Sequence, residues 1–214
     1  MPTRLTARAI LFDMDGTLVD STAVVEQVWG RFARANGVDI VELLSTSHGV
    51  RAVDTIRLHA PSLDAEVAAD ELAAYELTQN EGIVEIPGAA AFAGRVPDGG
   101  FAVVTSAPRQ LAALRLALCG IRVPTVLVGA EDIEHGKPSP DPYLKAAAEL
   151  GVDPDDCVVF EDAPAGIHAG LAAGMRVVVV GDVEADITSG LPRLPDYSAS
   201  TIEPHDGSCT IVLG

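Results

Sequence analysis

AILFDMDGTLVDS, Ala9 to Ser21, is the stretch whose reading decides the fold. Its apolar run Ile10–Leu11–Phe12 stops abruptly on two aspartates, Asp13 and Asp15. Alternate side chains of an extended segment point the same way, so both carboxylates can reach one site just past the strand. Gly16 permits the tight backbone that must follow. Two carboxylates this close repel unless a cation or proton lies between them. Oxygen ligands of this kind suit Mg²⁺, which takes one or two carboxylates together with substrate phosphate. A solvated Asp–Gly turn would account for DMDG equally well, since both residues are common in turns.

Outward from this run, four more short apolar stretches read as strands: Phe101–Val104, Thr125–Val128, Val158–Phe160 and Val177–Val180. Helical patterns lie between them, at Arg109–Leu118, Pro140–Leu150 and Pro164–Ala173. Strands apolar on both faces, alternating with helices, predict a doubly wound parallel α/β sheet with ligands beyond the carboxyl ends of its strands. The alternation breaks after the first strand. From about Thr17 to Ile86 there are only helical patterns: one ending at Asn36–Gly37, one over Gly49–His59 and one over Leu63–Gln79. About 70 residues exceed an ordinary crossover. The reading is a discontinuous core, residues 1–17 and 87–214, with a small helical cap inserted at 18–86. Its crossings near Thr17–Asp20 and Gly82–Gly88 could act as a hinge. Tyr197–Ile202 and Thr210–Leu213 flank an Asp206–Gly207 turn signal and predict a C-terminal β-hairpin.

The chain has 214 residues, 48% of them hydrophobic, and a net charge of −17. That charge argues against nucleic acid and anionic membranes as partners. No run of apolar residues is long enough for a transmembrane helix. The expectation is a cytoplasmic protein, monomeric in the simplest case. Cys119, Cys157 and Cys209 have no metal-ligand spacing and read as structural thiols.

Three further segments end strands or open helices on chemistry. In VVTSA, Thr105 and Ser106 offer hydroxyls and backbone N–H groups before a helix, as an anion site or as a plain cap. In HGKPSPDPY, Lys137 lies between Gly136 and Pro138. A loop lysine is usually solvated, but this rigid setting suits a positioned charge. In VVFEDAPAG, Glu161 and Asp162 form a second acidic pair at a second strand end.

Together DMDGTLVDS, VVTSA, GKPSPDPY and FEDAPAG resemble, in order and spacing, the four motifs of the haloacid dehalogenase-like (HAD) hydrolase superfamily. The helical insertion is similar to the cap of its beta-phosphoglucomutase-like branch. SHGVRAVDTIRLHAP, IVEIPGA and VFEDAPAGIHAGLAAG look most like the glycerol-phosphate and 2-deoxyglucose-6-phosphate phosphatases. The resemblance implies a Mg²⁺-dependent phosphatase of small phosphorylated sugars or polyols. Asp13 would be the nucleophile that forms an aspartyl-phosphate, and Asp15 the general acid and base. Asp13, the Asp15 carbonyl and Asp162 would hold the metal, with Glu161 as ligand or water-mediated neighbour. Thr105 or Ser106, with the Ala107 N–H, would hold a phosphoryl oxygen, and Lys137 would neutralise charge during transfer. His48, Gly49 and Arg51 lie in the stretch similar to the family's substrate-specificity loop, with Arg51 expected at a sugar hydroxyl or a second anionic group.

A phosphomutase of the same branch would carry a histidine where this chain has Val25. A dehalogenase would lack Asp15. A phosphonate-cleaving enzyme would need a cap lysine, and no lysine precedes Lys137. A non-catalytic metabolite-binding regulator on the same fold is the rival from another class.

Overall fold

The computed structural model describes residues 2–214. In chain order its strands are β1 (Thr3–Ala7), β2 (Ala9–Phe12), β3 (Val19–Asp20), β4 (Val84–Glu85), β5 (Phe101–Val104), β6 (Val126–Val128), β7 (Cys157–Glu161), β8 (Arg176–Val180), β9 (Arg193–Leu194), β10 (Thr201–His205) and β11 (Ser208–Leu213). The α-helices are α1 (Thr22–Asn36), α2 (Ile40–Ser47), α3 (Ala52–His59), α4 (Ala65–Glu76), α5 (Ala89–Ala93), α6 (Arg109–Leu118), α7 (Asp141–Leu150) and α8 (Pro164–Ala172).

Six strands form one parallel sheet in the order β6-β5-β2-β7-β8-β9. Strand periodicity divides the inner residues between two cores. Ile10, Phe12, Val103, Val158, Phe160 and Val178 pack on one face with Ala112 and Leu116 of α6, Phe92 of α5 and Tyr197. Leu11, Ala102, Val104, Val159 and Val177 pack on the other with Tyr143 and Ala146 of α7 and Ile167 of α8. Both faces are therefore covered, as the unbroken apolar runs require. Phe12 stacks on Phe160 at 5.1 Å between ring centres, locking together the two strands that end in acids.

β2 is central, with β5 on one side and β7 on the other. Such a switch in strand order opens a crevice at the carboxyl ends. Phe12 pairs with Phe160, and the Asp13 N–H donates to the Phe160 carbonyl at 3.0 Å, so Asp13 comes level with the start of the Glu161–Asp162 pair.

The expected hairpin is part of a larger unit. β10 and β11 pair around Asp206–Gly207, and β1 adds a third strand in the order β1-β11-β10. Strand β10 starts at Thr201, because Tyr197 is instead a buried plug against Phe92 and Phe160. β1 and the two-residue β9 carry too little pattern to be read alone: β1 is mostly exposed, and periodicity needs more residues than β9 has.

Between β3 and β4 the chain makes four helices, whose shared core includes Val24, Val28, Trp29, Phe32, Leu43, Ile56 and Leu72. One of them, α2, was not anticipated, although Asp39 signals it by accepting the Val41 and Glu42 N–H groups as an N-cap. Where the two crossings were expected, β3 and β4 pair as a short antiparallel ribbon, Val19 with Glu85 and Asp20 with Val84. Among the described residues no helix is long and apolar enough to cross a membrane.

Candidate active site

The turn after β2 is built around one atom. The Met14 carbonyl accepts the N–H groups of Thr17, Leu18 and Val19, and the Met14 side chain is buried in the core. With Met14 turned inward, its neighbours Asp13 and Asp15 face the crevice. Gly16 completes the turn at φ +83°, and a Cβ there would lie 2.0 Å from Asp162 Oδ2. Only glycine satisfies both the backbone and the carboxylate beside it.

Lys137 lies buried beneath this turn. Its Nζ donates to Asp13 Oδ1 at 2.5 Å, to Glu161 Oε1 at 2.7 Å and to the Val104 carbonyl at 3.0 Å. All three of its donors are thus used inside the protein. Burial alone would weaken the ammonium, but the Asp13 and Glu161 carboxylates outweigh it and hold Lys137 above its ordinary value. The GKP loop reaches the strand ends from between β6 and α7, which makes Lys137 a buried charge and not a surface one.

Glu161 is fully buried and fully occupied. Oε1 accepts from Lys137 and from the Tyr143 hydroxyl at 2.9 Å, and Oε2 accepts the N–H groups of Asp162 and Ala163, each at 3.0 Å. A Cβ on Gly166 of α8 would lie 1.5 Å from Oε1, so the helix makes room for this carboxylate only by lacking a side chain there. Burial pushes the Tyr143 phenol well up, with Glu161 and Asp13 adding to it, so Tyr143 stays a neutral donor.

Asp162 sits opposite Asp13, with Oδ1 accepting from Thr17 Oγ1 at 2.8 Å. One carboxylate oxygen from each of Asp13, Glu161 and Asp162 lies within 4.8 Å of the others. Burial raises Asp13 well above the usual carboxylate range; Glu161 and Asp162 add to this and Lys137 opposes it. Burial also raises Asp162, to about 8, with Glu161 contributing. Buried carboxyls that resist ionisation side by side form a hard oxygen donor set which a divalent cation would satisfy. The four donors on Glu161 leave Asp13 and Asp162 as the carboxylates with capacity to spare.

The remaining expected residues fall around a cleft of about 890 Å³ between the sheet edge and the four helices. Thr105 is buried, and its Oγ1 accepts the Ala107 N–H at 3.1 Å. Ser106 Oγ donates across the cleft to the Gly49 carbonyl at 2.8 Å. Gly49, at φ +73°, passes so close to the core that a Cβ would meet Ala163 Cβ at 2.8 Å. His48, the residue after α2, is exposed at the cleft. Arg51 is only 8% exposed. Its Nε and Nη2 grip Asp54 at 2.7 and 3.2 Å, and Nη1 donates to the Ile133 carbonyl of the core at 2.9 Å.

Four participants escaped sequence reasoning. Thr17 and Tyr143 stand inside quoted motifs without an assigned role. Ser21 stands at the N-cap position of α1, yet its side chain makes no cap hydrogen bond and donates instead to Asp15 Oδ1 at 2.6 Å. Arg115 of α6 is 1% exposed and bridges Asp15 Oδ1 at 2.7 Å to Glu76 Oε1 of α4 at 2.6 Å. Its signal was present: an arginine on the same helix face as the buried Leu111, Ala112 and Leu116.

A parallel sheet with acids at two adjacent strand ends, a buried lysine between them and a helical insertion over the cleft defines the haloacid dehalogenase-like hydrolases. The model of that family matches residues 7–174, and the chain belongs to it. Hexitol phosphatase A of Escherichia coli (strain K12) is 43% identical over 178 residues, which cover 81% of this chain and 82% of that protein. Glycerol-1-phosphate phosphohydrolase 2 of Saccharomyces cerevisiae is 36% identical over 189 residues, 83% of this chain and 76% of that one. The beta-phosphoglucomutase of Clostridium difficile has the same fold, with a TM-score of 0.78 at 23% identity over 90% of this chain and 92% of that one.

Proposed function

We propose that the protein is a Mg²⁺-dependent phosphatase acting on small phosphorylated sugars or polyols through an aspartyl-phosphate. The observation that carries this reading is the Asp13–Lys137–Glu161 arrangement with Asp162 opposite, at the floor of a covered cleft. The names of the relatives supply the class of ester. Lys137 holds Asp13 by Oδ1, which leaves Oδ2 to attack phosphorus as the ester P–O bond breaks. Asp15 gives its proton to the departing alkoxide oxygen. It then takes a proton from the water that attacks phosphorus and releases phosphate, freeing Asp13. Thr105 or Ser106, with the Ala107 N–H, would hold a phosphoryl oxygen; the Ser106 hydroxyl and the Ala107 N–H would exchange the Gly49 carbonyl and the Thr105 hydroxyl for it. The work is mainly electrostatic, because the transferring group must keep its charge stabilised away from bulk water. Asp13, Asp162 and the Asp15 carbonyl would hold Mg²⁺, which supplies positive charge to the phosphoryl oxygens. Glu161 orients Lys137.

Val25 lines the cleft where a mutase would need a proton-carrying group, which favours hydrolysis over phosphoryl return. A screen of sugar and polyol monophosphates with Mg²⁺ tests the proposal. Release of inorganic phosphate is expected; no release from any ester would reject it, and isomer interconversion without release would favour the mutase.

Two further results are expected. The Asp162 carboxyl at about 8, against an ordinary 3.8, means that the folded chain keeps a proton the unfolded chain has lost between those values. Without a divalent cation, this group's contribution to folding stability therefore declines as pH rises through that window. Mg²⁺ should raise the melting temperature more at about pH 8 than at about pH 6, where protons compete for the same carboxylates. In Asp162→Asn the Mg²⁺ shift should vanish; an undiminished shift would place the cation elsewhere. Arg51, spent on Asp54 and Ile133, places the cap loop on the core. Arg51→Ala should raise KM about severalfold for all esters alike, with kcat little changed. A change confined to one kind of substrate tail would make Arg51 a selectivity contact.

A further inference from the structure

Arg115 is a guanidinium withdrawn from water on the core face of α6, and its Nε–H is buried with no acceptor among the described residues. Packing does not explain it, since a leucine would fill an apolar helix face at lower cost. What the side chain does is divide its fork. Nη1 donates to Asp15 Oδ1 at 2.7 Å, and Nη2 to Glu76 Oε1 at 2.6 Å. Asp15 belongs to the turn after β2, whereas Glu76 is the last residue of α4 in the helical insertion. A single side chain thus joins the core carboxylate to the cap.

The division matters because a planar guanidinium facing one carboxylate prefers to pair with both of its oxygens. Here Glu76 takes one arm. Asp15 is held by Oδ1 alone, from Arg115 and from Ser21, and Oδ2 keeps no protein partner among the described residues. The free oxygen is the one available for proton transfer.

We propose that Arg115 is a positioning residue that couples cap placement to Asp15. With α4 docked, Glu76 splits the fork and leaves Asp15 Oδ2 free. With α4 displaced, the fork closes on both oxygens of Asp15 and withdraws it from the reaction. The proposal rests on Asp15 being the acid of the phosphatase reading above.

The test compares kcat/KM for an alkyl phosphate, whose leaving oxygen needs a proton, with kcat/KM for p-nitrophenyl phosphate, whose leaving group does not. In Glu76→Ala the alkyl-to-aryl ratio should fall about tenfold, as loss of a positioned acid predicts. Adding Arg115→Met removes the fork that would block Asp15, so the double variant should recover to within about threefold of the wild-type ratio, a non-additivity that marks coupled residues. A residue that only stabilised the fold would lower both esters together and make the double variant worse. An unchanged ratio in Glu76→Ala, or no recovery in the double variant, overturns the coupling. Wild-type protein that hydrolyses neither ester, or Asp15→Asn with an unchanged ratio, overturns the phosphatase or acid assignment itself and the coupling with it. Glu76→Gln, which keeps an acceptor for Arg115 without the charge, should lower the ratio less than Glu76→Ala. It decides the question if the alanine variant does not fold, and an unchanged ratio there too rejects the coupling.

Discussion

Asp13→Asn should reduce phosphate release from every ester by about 10⁴-fold or more, the scale on which removal of a nucleophile from a cooperating set is felt. The expectation follows from position. Asp13 is 5% exposed, its backbone N–H is fixed to Phe160, and its Oδ1 is fixed to Lys137. No neighbouring carboxylate can replace it. Glu161 accepts four hydrogen bonds, and Asp162 is turned toward Thr17. The substitution is nearly isosteric and removes a charge that burial already disfavours, so the fold should be kept. Steady-state phosphate release, with circular dichroism as a folding control, measures it. Trapping with a phosphate mimic such as fluoroberyllate should succeed with wild type and fail with the variant. Residual activity above about one percent would point to water attacking directly and would remove the covalent step.

Lys137→Met should damage both stability and turnover. The substitution leaves Asp13 and Glu161 buried without their shared cation. Breaking a buried ion pair from one side costs roughly 3–5 kcal/mol, because the orphaned charge is more harmful than the pair was helpful. For a chain of this size that corresponds to a melting temperature lower by roughly 10 °C. Turnover should drop by about 10²–10³-fold, as when a preorganised donor is lost from a transferring group. Thermal unfolding with and without Mg²⁺ separates the two effects. A cation can rescue the charge on Asp13 but not that on Glu161, whose surroundings are closed by Tyr143, α8 and two backbone N–H groups. Stability should therefore return only in part. A melting temperature within about 2 °C of wild type would mean that Glu161 takes a proton in place of the lysine.

The core was legible because parallel strands covered on both sides leave a strong trace. Apolar runs such as Ile10–Phe12 and Val177–Val180 admit few other readings, and α6 spans the residues its pattern predicts. The elements that periodicity missed are those held by distant partners. β1 exists because β11 lies beside it, and β9 because β8 does. The three-stranded sheet could not be foreseen from its terminal hairpin alone.

At the site, the sequence by itself determined which residues collect at the strand ends. Asp13, Asp15, Thr105, Lys137, Glu161 and Asp162 are placed there by strand periodicity and by the loops that follow, which are local matters of chain geometry. Only the tertiary structure decided how their capacities are shared. Two adjacent acids, Glu161 and Asp162, read alike in sequence. One is buried under Gly166 with every lone pair engaged, and the other faces Asp13 with capacity left. Arg51 read as a substrate contact and Arg115 only as part of a helical pattern, yet both are buried and both tie cap to core, through Ile133 and through Glu76. Hydrogen-bond saturation and charge burial are properties of what surrounds a side chain in space. For Arg115 those surroundings lie 100 residues upstream at Asp15 and 39 upstream at Glu76, beyond the reach of any local pattern.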